Sequence, residues 1–64
     1  MLLVLNKNAD ENEINTIKGK INKLGFEVNE INELNYHILG IIGDTTNIDP
    51  GIFEAYKAVD KVMT

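Results

Sequence analysis

Cysteine, arginine and tryptophan are all missing from this 64-residue chain, which carries one proline and one histidine. Without cysteine there is neither a disulfide staple nor a thiolate metal site. The lone His37 makes no metal site without several carboxylates beside it. Six lysines stand against ten acidic residues, for a net charge of −4, so the chain lacks the basic, arginine-bearing face of a nucleic-acid binder. The same balance argues against an anionic membrane surface. No apolar run approaches the ~20 residues of a membrane span. Met1–Leu5 is too short, and has no basic flank, for a secretory signal. A chain free of cysteine fits a cytoplasmic setting.

What remains is one small domain, 1–64, that buries only about 60% of its unfolded surface and is marginal alone. Its most informative segment is Tyr36-His-Ile-Leu-Gly-Ile-Ile-Gly-Asp44. This reads as a strand apolar on both faces, stopping at Gly43 before an acidic turn. A domain of this length does not normally cover both faces of a sheet by itself, so the strand implies docking onto something.

The pattern elsewhere assigns the other elements. Leu2-Leu-Val-Leu5 is a short buried strand. Asn8 or Asp10 then supplies a helix cap, with Glu11 or Glu13 three residues on. Ile14, Ile17, Ile21 and Leu24 recur at helical spacing and form one apolar stripe of a helix over 10–24. Lys18, Lys20 and Lys23 suit its C-terminal dipole, and Gly25 its left-handed exit. Gly19 inside it costs roughly 1 kcal/mol against alanine. Phe26-Glu-Val-Asn alternates as a half-buried strand, and the alternation weakens through Glu30–Asn35, which suggests an edge. Asp49-Pro50 opens a second helix, with Ile52, Phe53 and Tyr56 on its apolar side, and Val59–Met63 starts a fourth strand.

The order β-α-β-β-α-β with two right-handed crossovers gives an α+β, ferredoxin-like sandwich: a four-stranded antiparallel sheet in the order 4-1-3-2 with both helices on one face. The first and third strands are central. The uncovered face would then expose some of Leu3, Leu5, Leu39 and Ile41, or their alternates if the register differs, as an interface for self-association.

Function is argued from sites rather than from this shared fold. A metal carrier of this topology wants a Cys-x-x-Cys after the first strand, where Asn6–Asp10 stands. An acylphosphatase-like enzyme wants an arginine to hold phosphate, and the chain has none. RNA recognition wants exposed aromatics on the central strands, where only Tyr36 is available, at the margin. His37, in an apolar strand with no evident carboxylate partner, reads as a structural or interface residue. No catalytic set and no metal site emerge. The turn Gly43-Asp-Thr-Thr46 has two readings. Asp44 could accept from an amino-acid ammonium while Gly43 admits a close approach. Alternatively, Asp44 and Thr45 simply close a turn with their side chains.

The segment Ile38-Leu-Gly-Ile-Ile-Gly-Asp44 resembles the Ile-Gly-x-Ile-Gly-Asp segment in the N-terminal regulatory domain of one class of DAHP synthase. Met1–Leu5 looks like that domain's opening strand, and Gly25-Phe26 falls at similar spacing. The resemblance spans essentially all 64 residues, and its specific part is Gly40–Asp44. It implies an ACT-like regulatory domain, not catalytic itself, that precedes a (β/α)₈ barrel. That barrel, with its divalent metal, would condense phosphoenolpyruvate with erythrose 4-phosphate at the head of aromatic amino-acid synthesis. The domain itself would need no cofactor. The effector implied is tyrosine or phenylalanine, held between paired domains near Asn29, Ile31, Gly43 and Asp44. Tyrosine-sensitive members are expected to carry histidine and serine where Asn29 and Ile31 stand. Asn29 can still hydrogen-bond, but Ile31 cannot, and a buried hydroxyl without a partner costs about 1–3 kcal/mol. This weakens the case for tyrosine and leaves phenylalanine or another effector. On this reading the chain is the first domain of a longer enzyme. Two other readings stay open: a stand-alone ACT-like amino-acid sensor, and an oligomerisation module without a ligand.

Overall fold

A computed structural model describes all residues 1–64. It contains β1 (Leu2–Leu5), α1 (Glu11–Lys23), β2 (Glu27–Asn32), β3 (His37–Ile42), α2 (Gly51–Glu54) and β4 (Val59–Met63). All four strands form one antiparallel sheet in the order β2-β3-β1-β4, the ferredoxin-like arrangement expected from the sequence, with β1 and β3 central and β2 and β4 at the edges.

Local chemistry sets the ends of α1. Asp10 is the cap, its carboxylate accepting from the Asn12 amide at 2.8 Å. Glu13 does not complete a capping box; its carboxylate accepts from the Ala58 amide at 3.2 Å and ties α1 to the start of β4. At the other end the Phe26 amide donates to the Ile21 carbonyl and the Gly25 amide to the Asn22 carbonyl, a Schellman closure made possible by Gly25 at φ 93°. Because the helix closes at Lys23, Leu24 becomes the C-cap and is 37% exposed, so it does not extend the buried stripe as its spacing predicts. In α2 the Asp49 carboxylate accepts from the Gly51 amide at 2.9 Å, and the helix lasts a single turn.

Register decides which side chains are sealed. Leu3 pairs with Leu39 and Leu5 with His37, while Val28 pairs with Ile41, so these residues share one face. Ile14, Ile17 and Ile21 of α1 and Phe53 of α2 pack on that face with Leu3, Leu5, Leu39, Ile41, Ala58 and Val59 as one buried cluster. Tyr56 is only partly buried against it. Leu3, Leu5, Leu39 and Ile41 are thus the core, not an exposed interface, each 6% accessible or less. Their alternates take the open face: Leu2, Val4, Ile38 and Ile42, joined by Ile31 and Met63. A parity error of one residue exchanges the faces wholesale, because the side-chain period of a strand is two.

Replacing Phe53, fully buried, with alanine should lower stability in urea by about 3–5 kcal/mol. Leu24→Ala, at a partly exposed cap, should cost about 0.5 kcal/mol or less. Equal losses at the two positions would contradict this placement of the core.

Candidate functional site

The open face is built in cross-strand rows. Ile31, Ile38, Val4 and Lys61 form one row, and Asn29, Gly40, Leu2 and Met63 the next, with Glu27 and Ile42 beyond. Leu2, Ile31, Ile42 and Met63 are each 39–53% exposed, so the middle of this face is apolar. Glu27 stands at its β2 edge and Lys61 at its β4 edge, on either side of the apolar centre. A bulge between Val4 and Leu5 slips one residue of β4, which puts Val62 back toward the helices and Lys61 on the open side.

Asn29 and Ile31 both lie on this face, on edge strand β2. Gly43 and Asp44 follow the end of β3, beyond the Glu27–Ile42 pair. Ile31 is four residues down β2 from that pair, roughly 13 Å at the rise of a strand. The face therefore brings Asn29 and Ile31 together and leaves the Gly43–Asp44 turn at its margin. The largest concavity, about 730 Å³, opens at the opposite end of the sheet among Val4, Asn6, Asn32, Tyr36 and Asp60, and contains none of the four.

The turn has its own internal reasons. Gly43 is at φ 142°, and a Cβ there would collide with the ring of Phe26. Asp44 accepts at one oxygen from both the Thr46 hydroxyl and the Thr46 amide. Those hydrogen bonds, the hydroxyl first, hold its carboxyl below the usual range. The side-chain-closed turn is thus realised, with Thr46 rather than Thr45 as its partner.

A charged cluster on the helix side has no counterpart in the sequence reading. Glu30 of β2 receives Lys18 of α1 at one carboxylate oxygen and His37 of β3 at the other. His37 has a carboxylate partner after all, seven residues back along the chain and across the hairpin. The visible signal is parity: with Val28 facing in, Glu30 must face in too, toward α1. The Lys18 hydrogen bond, then that of His37, holds the Glu30 carboxyl below its usual range, against a smaller desolvation effect. No three His, Cys, Asp or Glu side chains converge anywhere in the domain. No helix is long and apolar enough to cross a membrane.

Fold and surface together define an α+β domain of the ferredoxin-like class that seals one sheet face with its helices and leaves the other apolar and open. The chain belongs to the DAHP synthase ferredoxin-like domain family, whose model matches residues 1–64. No curated protein matches it.

The Glu30 cluster makes a pH-dependent contribution whose sign is fixed. A carboxyl depressed on folding adds stability above its unfolded value, about pH 4.5, and loses it as pH falls through the lower folded value. In urea melts, wild type should exceed Glu30→Gln near pH 6, and the gap should close progressively below pH 4.5. A gap that persists unchanged to pH 3 would show that the cluster contributes nothing through ionisation.

Proposed function

We propose that this chain is the regulatory domain of a DAHP synthase and senses an aromatic amino acid on the open face of its sheet. The observation that carries the reading is that face: a member of this family presents Leu2, Ile31, Ile38 and Ile42 on the side away from the helices, with the amide of Asn29 beside them. A single open face is half a pocket, and a small ligand is held well only when concave walls enclose most of it. The effector is therefore bound when two domains pair, contacting Asn29 and Ile31 on the face and Gly43 and Asp44 at its margin. Pairing draws the domains over the mouth of the catalytic barrel and restrains it. The barrel supplies the divalent metal and the transferase chemistry, in the cytoplasm; this domain holds no cofactor.

Self-association would draw on this face. Covering ~400 Å² of apolar surface yields about 10 kcal/mol gross at ~25 cal/mol/Å², most of which the costs of association consume. Effector and pairing should thus reinforce each other in sedimentation of the full-length enzyme, with phenylalanine shifting the population toward the paired form.

Calorimetry with phenylalanine and tyrosine tests the reading. Ile31 faces apolar Ile38 across the strand and offers a phenol no partner, so phenylalanine should bind at least as tightly as tyrosine. Ile31→Ser should shift the preference toward tyrosine by up to tenfold, about 1.4 kcal/mol. Tenfold tighter tyrosine binding by the wild type would overturn the role given to Ile31. Binding of neither amino acid to the full-length enzyme would leave an oligomerisation module as the better reading.

A further inference from the structure

The hairpin between β2 and β3 ends in an apolar side chain that nothing inside the domain uses. The Glu33 amide donates to the Tyr36 carbonyl at 2.8 Å and closes a tight turn, which holds Leu34 out at 97% exposure. The centre of such a turn ordinarily carries glycine, proline or a short polar residue. A single exposed leucine needs no explanation by itself. Leu34 is set apart by what stands beside it.

It lies at the rim of the hollow of about 730 Å³ at this end of the sheet. Val4 and the half-exposed Tyr36 give that hollow an apolar part. Lys7, Glu33 and Asp60 line it as well, and all three are exposed. None of these charges has an ion-pair partner within the chain, because both salt bridges belong to Glu30, with Lys18 and His37. One end of the domain thus carries an apolar knob, a hollow beside it, one unpaired cation and two unpaired carboxylates. Such a set is complementary to itself. A two-fold axis passing between knob and hollow seats each Leu34 in the hollow of the other copy, and brings each Lys7 toward the other copy's Glu33 and Asp60.

We propose that this end of the sheet is a contact between two copies of the chain, distinct from the apolar centre of the open face, with Leu34 as its anchor. The occupant is a second copy because the hollow's own charges supply both signs of the pairing. Leu34 gains by leaving water. Lys7 and the two carboxylates select the orientation, since turning one copy round would set like charges against each other.

Carbodiimide joins a lysine to a carboxylate only where the two touch, so it reads this contact directly. Ordinary and heavy-isotope copies of the full-length protein are mixed, cross-linked, digested and read by mass spectrometry. Wild type should give a mixed-isotope peptide joining Lys7 to Glu33 or Asp60. Leu34→Ser should melt as wild type does, because the side chain is outside the core, yet lower the yield of that peptide about tenfold, as loss of an interface anchor does. Leu34→Met, which keeps the volume, should lower it about twofold at most. Ile42→Ser, on the open face, should leave it unchanged. Absence of the mixed-isotope peptide in wild type overturns the proposal, as does an undiminished yield in Leu34→Ser. Loss of the peptide in Ile42→Ser but not in Leu34→Ser would assign the contact to open-face pairing and overturn it too. None of these outcomes depends on an amino acid being bound, so failure here leaves the sensing reading intact.

Discussion

The structure depends on one binary choice, the parity of the two central strands. Leu3 and Leu39 lie opposite each other and are fully buried under Ile17, Ile21 and Phe53. Each such side chain contributes about 1.5–3 kcal/mol by leaving water, and in a domain this small no second cluster could replace them. Once the odd-numbered residues of β1 and β3 are sealed, the even-numbered ones have nowhere to go but outward. The apolar open face is thus a by-product of the core: Leu2, Val4, Ile38 and Ile42 face solvent because their neighbours do not.

That dependence explains what is legible in the sequence. Where apolar spacing is periodic, it specifies structure: Ile14, Ile17 and Ile21 define the helix and its buried stripe, and the element order defines the sheet topology. Where the apolar run is continuous, as in Leu2–Leu5 and Ile38–Ile42, periodicity holds no information about faces. An interface at Leu3, Leu5, Leu39 and Ile41 is then as readable as one at their alternates, yet these four are the core. The missing bit lies in β2. Phe26 and Val28 alternate with Glu27 and Asn29, and hairpin pairing of Val28 with Ile41 carries that parity into β3. Of the candidate site, Asn29 and Ile31 do share the open face. Gly43 and Asp44 lie at its margin, in a turn whose shape is set by the Phe26 ring and the Thr46 donors. The Glu30 cluster is hidden in the sequence because it joins three elements and has no local spacing.

Polar interactions here fasten the edges rather than the centre. Glu13 reaches the Ala58 amide, Asn6 donates to the Lys57 carbonyl at 2.9 Å, and Glu30 gathers Lys18 and His37 at the β2 edge. Every one joins elements that the hydrophobic cluster alone would leave free to splay. No buried side-chain nitrogen or oxygen lacks a partner, so the interior carries no polar strain. The open face, by contrast, has no helix over it and none of these side-chain ties.

The position of β1 between β3 and β4 has a consequence for how the domain is made. Within the domain its four residues are synthesised first, yet their partners are His37–Gly40 and Val59–Met63. The ribosome must therefore deliver nearly the whole domain before this strand is enclosed on both edges. Until then Leu2–Leu5 is an unpaired apolar segment of the nascent chain, with α1 and the β2–β3 hairpin as the only units able to form locally. Contacts between such distant stretches slow folding, and a domain with this wiring completes as a unit late in its own translation rather than growing from its first strand.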